Sequence, residues 1–271
     1  MPETLEDLYR RYNRREYVHP DPLEHLYRYE EPGDREIAGL AASALAYGRV
    51  ARILTSVRDA LERMGPSPRA FLEGASRASL RKAFAGFRHR FSGGESVAGL
   101  LWGAKRLLDG HGSLNAAFLA GLPGSKAGTC AGGTAADTAA ALRAFSDGLR
   151  AGGCGNFIVP DPSLGSACKR LCLFLRWMVR RDEVDPGGWY GVSPAALIVP
   201  LDTHMHRIAA ALGLTRRRQA DMRTALEITA AFGRFRPDDP ARYDFTLTRF
   251  GIRTDMDKKD FPDIRYGRET A

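Results

Sequence analysis

Lysine is scarce in a chain otherwise rich in positive charge: six of its 40 basic residues are lysine, at 82, 105, 126, 169, 258 and 259. Arginine keeps its proton at any workable pH, whereas lysine can release it and act as a nucleophile. A lysine in such a composition is either drift or chemistry. Cysteine is scarce as well, and residues 130, 154, 168 and 172 include no Cys-X-X-Cys pair. That argues against a disulfide framework and a zinc ribbon. Cys168 and Cys172 share a helix face at i, i+4, but no further ligand stands at metal spacing, so core packing accounts for them. No metal and no other cofactor is expected. No apolar run approaches the roughly 20 residues that cross a bilayer, and no basic-then-apolar leader opens the chain. The expectation is a soluble protein of the reducing cytosol with no membrane partner. Alternating Val, Ile and Thr runs, the mark of half-buried strands, are nearly absent, which excludes a strand-built fold.

The 271 residues, 44% of them hydrophobic, suffice for one large core or two smaller ones sharing an interface. A formal charge of +8 and a pI near 9.5 favour a polyanionic partner. Apolar residues recur at three- and four-residue spacing, so the fold class read from the pattern is all-α. Asp34 to Met64 predicts two helices broken at Tyr47-Gly48 and stopped by Gly65-Pro66. Further helices are expected near 78–84, 95–108, 113–119 and 138–149, each set off by Gly or Pro. The stretch 121–141, rich in Gly, Ala, Ser and Thr, reads as a surface loop with Lys126 a solvated charge. From Ser166 to Arg181 the apolar positions form one stripe, with Lys169 and Arg176 off it on a face that points to solvent or to a ligand. Helices are also expected over 203–212, 221–232 and 240–250, with a polar loop over 182–193 and a charged tail from Asp255.

Two groups in this layout can carry chemistry. Lys169 follows the turn Ser163-Leu164-Gly165-Ser166, whose free amides at a helix start suit a phosphate, with Gly165 permitting close approach and Arg170 adding charge. Asp202 precedes a short helix, where its simplest role is to cap the amides of residue 204 or 205. An exposed helix lysine and an N-cap aspartate are the plain alternatives. His204 and His206, two apart, point roughly 200° from each other on a helix, a weak metal motif. Arg207, Arg216, Arg217, Arg218 and Arg223 can grip a phosphate backbone or simply form a solvated basic face.

The string Val199-Pro200-Leu201-Asp202-Thr203-His204-Met205-His206-Arg207-Ile208, followed by Leu212-Gly213-Leu214, resembles the segment after the hairpin in the helix-hairpin-helix DNA glycosylase superfamily. There an Asp-Thr-His stretch carries the catalytic aspartate. The distance back to a helix-borne Lys169 is most similar to the archaeal 8-oxoguanine DNA glycosylase branch. Tyr243-Asp244-Phe245-Thr246-Leu247-Thr248-Arg249-Phe250-Gly251 resembles the superfamily's last shared helix. The whole chain is also similar to a bacterial family known only as a domain of unknown function.

This resemblance is good over about 155–251 and rests on helix pattern over 20–150. It implies an all-α, two-lobed fold: 36–185 as a helical bundle with the hairpin-like motif, 1–35 and 186–271 as a second lobe, and a cleft between them. It implies Lys169 and Asp202 as catalytic residues of a base-excising enzyme with a Schiff-base lyase step. The substrate would be damaged DNA, duplex or single strand, bound by a monomer that would be nucleoid-associated. The chain departs from the superfamily in three places. Tyr47 and Arg49 stand where an early helix often presents a glutamine to fill the gap left by an extruded base. The hairpin reads Val159-Pro160-Asp161-Pro162-Ser163-Leu164-Gly165. No cysteine follows Phe250, so no C-terminal iron–sulfur cluster is expected. Tyr47, Trp102, Trp177 and Trp189 are the aromatic candidates for stacking or wedging, burial in the core being the commoner use of such rings. A non-catalytic nucleic-acid binder and a helical protein-interaction scaffold are the rival readings.

Overall fold

The computed structural model describes residues 2–124 and 133–253. Within them the chain is helical: α1 (Pro2–Tyr12), α2 (Pro32–Ala44), α3 (Val50–Met64), α4 (Pro68–Glu73), α5 (Arg77–Ala83), α6 (Gly94–His111), α7 (Leu114–Ala120), α8 (Ala135–Arg150), α9 (Gly155–Ile158), α10 (Lys169–Val179), α11 (Thr203–Ala211), α12 (Met222–Gly233) and α13 (Asp244–Ile252). Among the described residues the only strands, β1 (Arg88–His89) and β2 (Ser92–Gly93), form a small antiparallel hairpin with His89 opposite Ser92. The fold is all-α, and no described helix is long and apolar enough to cross a membrane.

Local chemistry sets most boundaries. Ser67, Ser76, Ser113, Thr134, Asp202 and Asp221 each accept the amide three residues on, starting α4, α5, α7, α8, α11 and α12. A cap of this kind stabilises its helix by about 1 kcal/mol. Thr134 and Asp137 form a reciprocal capping box, which is why α8 begins within the stretch expected to be loop. Lys126 and Cys130 of that stretch, and the tail from Asp255, lie outside the described residues. The α1 and α4 segments were not anticipated, and α13 starts at Asp244 rather than Pro240.

Every residue from Glu36 to Ala44 on α2 and from Leu171 to Val179 on α10 is buried. Helices buried on all sides belong at the centre of a fold, and these two pack together there. Gly39 sits at their crossing; a Cβ there would come within 3.2 Å of Leu26 and 3.3 Å of Phe174. One continuous cluster of buried side chains runs from Leu5 on α1 to Phe250 on α13. The last described helix, α13, packs against both α1 and α11.

Candidate active site

Two helix starts converge on one cleft. Ahead of α10, Cys168 takes the left-handed conformation (φ 49°) and donates its amide to Ser166 Oγ at 3.1 Å, which turns the chain inward at Lys169. At the start of α11, Asp202 Oδ1 accepts the Met205 amide at 2.9 Å. Its other oxygen, Oδ2, lies 3.7 Å from Lys169 Nζ. That is an ion-pair distance, longer than a good N–H···O bond. The two side chains are 28% and 31% exposed, where such a pair stabilises a fold by less than about 1 kcal/mol. Stability therefore does not explain the pairing. An amine and a carboxylate are held within reach of each other and of solvent.

The pair lines a cleft of about 440 Å³, within the range of small-ligand pockets. One wall is Ala46, Tyr47, Gly48, Val50 and Ile53, from the α2–α3 turn and α3; α10 contributes Lys169, Arg170, Leu173 and Arg176. Asp202, Thr203 and His204 also line the cleft, with Asp244, Thr248, Arg249 and Ile252 from α13. Helix N-termini carry partial positive charge, so two of them opening on one cleft favour an anionic ligand.

Behind the pair runs a buried chain of charges. Asp244, 4% exposed, contacts Arg176, whose Nε donates to Asp185 Oδ1 at 3.2 Å. Arg180 in turn meets Asp185, Asp182 at 2.8 Å and Asp239 at 3.0 Å. Burial pushes Asp244 up to about 6 against the pull of Arg176, with Asp202 adding to the rise and Lys169 opposing it. Burial likewise raises Asp185, while the carboxylates of Asp185 and Asp244 outweigh burial and raise Arg176. Of the two directions open to its face, solvent or a ligand, Arg176 takes the second: it is 1% exposed and lines the cleft, and two carboxylates neutralise its charge.

The profile of the family described as "Protein of unknown function (DUF2400)" matches residues 21–253, and that stretch holds every cleft residue except Pro20. The chain belongs to this family. No curated protein and no solved structure matches the DUF2400 chain.

Of the residues singled out from the DUF2400 sequence, the cleft gathers Tyr47, Lys169, Arg170, Asp202 and His204. Arg170 is half-buried and largely committed: it donates to the Ala44 carbonyl at 2.6 Å and contacts that of Phe157, with its guanidinium over the Tyr47 ring. Arg49 is exposed beside the lining, Gly165 and Ser163 are exposed on the turn before α10, and Ser166 is half-buried. Ser163 Oγ and its amide are both held by Asp161 Oδ1, at 2.6 and 2.8 Å. Arg207, Arg216, Arg218 and Arg223 are exposed, but Arg217 ties Asp221 and Thr224 together, each at 2.8 Å. His206 Nε2 lies 2.8 Å from the Arg217 carbonyl, and among the described residues no three His, Cys, Asp or Glu gather as a metal site. Trp177 is fully buried, Trp189 is buried with its Nε1 donating to Glu36 Oε2 at 2.9 Å, and Trp102 packs on the core; none lines the cleft. The described cysteines, 154, 168 and 172, are buried free thiols. Asp21, Asp244, Thr248 and Arg249 are polar cleft residues that reasoning from sequence did not single out. The one signal for Asp244 is its place at the head of a helix whose Phe245, Leu247 and Phe250 have to be buried.

Proposed function

We propose that this DUF2400 protein is a DNA glycosylase with a Schiff-base lyase step, on the two-lobed helix-hairpin-helix glycosylase-like fold. The substrate class is duplex or single-stranded DNA with a damaged base such as 8-oxoguanine. The observation that carries this reading is the approach of Lys169 Nζ to Asp202 Oδ2, 3.7 Å across an open cleft. The +8 charge, the two helix starts and the exposed Arg207, Arg216 and Arg218 support a phosphate-backbone partner. A damaged base is the cheapest to extrude, at a few kcal/mol.

In this scheme Lys169 gives up a proton to solvent and its amine forms a bond to C1′ of the extruded nucleotide. The glycosidic bond breaks, and the base leaves with the bonding electrons and takes up a proton from solvent. Asp202 stabilises the positive charge that develops on the sugar and accepts a proton from the attacking nitrogen. Opening of the sugar ring, with the proton held by Asp202 passing to O4′, gives an iminium. Loss of a C2′ proton then expels the 3′ phosphate and cuts the strand. The fixed carboxylate costs no reorganisation because the Met205 amide already holds it.

The test is a panel of lesion-bearing duplexes, led by 8-oxoguanine and an abasic site, scored for base release and for covalent trapping by borohydride. Lys169→Gln should abolish trapping and leave DNA affinity in place. Salt-sensitive binding without release or trapping would support a non-catalytic DNA binder. Absence of any DNA affinity would leave a helical protein-interaction scaffold.

A further inference from the structure

Phe91 and Phe157 are 74% and 48% exposed. An isolated exposed phenylalanine needs no explanation. These two touch edge to face, with ring centroids 5.4 Å apart, and Phe157 meets Tyr47 of the cleft wall in the same way at 5.1 Å. The three rings form a file running from the cleft to the surface. Arginines lie against it: the Arg170 guanidinium is 5.0 Å from the Tyr47 centroid and 5.7 Å from that of Phe157, and that of Arg90 is 5.3 Å from Phe91.

The support beneath the file is firm. Buried His89 lies 2.9 Å from Ser56 Oγ through Nδ1, and the Tyr47 hydroxyl donates to the His89 carbonyl at 2.8 Å. The Arg90 side chain packs over Gly48, where a Cβ would approach to 2.7 Å, so only glycine permits that contact at φ +102°. The hairpin is thus fixed at its base while its tip holds an aromatic ring in water. Its six residues, Arg88 to Gly93, and the turn Tyr47 to Arg49 contain no acid, and Arg49, Arg88 and Arg90 are exposed. Exposed rings interleaved with arginine on a basic surface are the composition that stacks unpaired bases while gripping their phosphates.

We infer that Phe91 and Phe157 are a stacking platform for bases of the DNA strand that flank the nucleotide entering the cleft. This rests on the glycosylase reading for the identity of the strand. Phe91 touches no part of the proposed chemistry, so the two ideas separate by experiment. The probes are a single-stranded oligonucleotide containing 2-aminopurine, read by anisotropy and by quenching, and an abasic duplex read by borohydride trapping. Phe91→Ala in the full chain should weaken oligonucleotide binding roughly 5- to 150-fold and relieve the quenching, with an unchanged melting temperature. Phe91→Trp should restore both. If Phe91→Ala binds within twofold of wild type, the platform is overturned whether or not wild type traps DNA. If it loses affinity while wild type never traps, the platform stands and the glycosylase reading falls. A concentration-dependent dimer that Phe91→Ala dissolves, with DNA affinity unchanged, would assign the rings to a second copy of this chain and overturn the proposal.

Discussion

Asp202 has two duties that substitution can separate. One oxygen caps α11 through the Met205 amide, and the other faces Lys169 at 3.7 Å. Asp202→Ala removes both. The missing cap costs about 0.5–2 kcal/mol, and the half-exposed ion pair adds less than about 1 kcal/mol. The sum, about 0.5–3 kcal/mol, lowers the melting temperature by roughly 1–12 °C in a chain of this size. Asp202→Asn keeps the cap, because asparagine accepts the same amide, and removes only the charge; its melting temperature should stay within about 4 °C of wild type. Without a carboxylate to stabilise the charged sugar, trapping by Asn should nonetheless fall roughly 100-fold or more. Thermal unfolding followed by circular dichroism, beside trapping on an abasic duplex, reads both. An Asn variant as unstable as Ala would show that the charge is structural. An Asn variant that traps like wild type would refute a chemical role for the carboxylate.

Asp244 gives a pH signature. Its carboxyl is raised from 3.8 to about 6, so the folded state binds the proton more tightly than the unfolded chain does. The resulting stability is full below pH 3.8, is lost as pH rises through about 6, and amounts to about 3 kcal/mol at most. Urea unfolding of wild type against Asp244→Asn should therefore show a gap that shifts by that amount between about pH 4 and pH 7, and a constant gap would contradict it. Among the arginines, Arg216→Ala and Arg218→Ala should each reduce the salt slope of DNA binding by about 0.9 for each phosphate the side chain neutralises. Arg217→Ala should instead destabilise the fold by about 1 kcal/mol with the slope unchanged, since its side chain is spent on Asp221 and Thr224. Burial pushes Cys154 and Cys168 up to about 11 and Cys172 well above the ordinary thiol value. In a Cys130→Ser background a thiol reagent at pH 8 should label none of the three until the protein unfolds.

The elements were legible where the code is local. The break at Tyr47-Gly48, the cap at Asp202, the helix starts at 113 and 221 and the glycine stop at Gly65 all depend on residues within a turn of the boundary, and the structure has them at those places. The meeting of Lys169 with Asp202 was expected from a resemblance, since residues 33 apart in sequence carry no local signal of contact. What could not be read is what depends on packing from several directions. Arg176 looks like a surface residue on a helical wheel, yet α2, α13 and the 182–186 loop close over α10, and only then does its pairing with Asp185 and Asp244 become necessary. The tryptophans followed the opposite course, for size and apolarity drew Trp177 and Trp189 into the core. Two of the exposed rings, Phe91 and Phe157, fell in a hairpin of two-residue strands and a one-turn helix too short to announce themselves.

The central claim is that the Lys169 amine bonds to a sugar carbon. The most direct measurement is intact and peptide mass spectrometry of the full chain after borohydride reduction on an abasic duplex. The expected result is one DNA-derived adduct on the peptide that contains Lys169, absent from Lys169→Gln. An adduct on another lysine, or none on a protein that binds the same duplex, would contradict it.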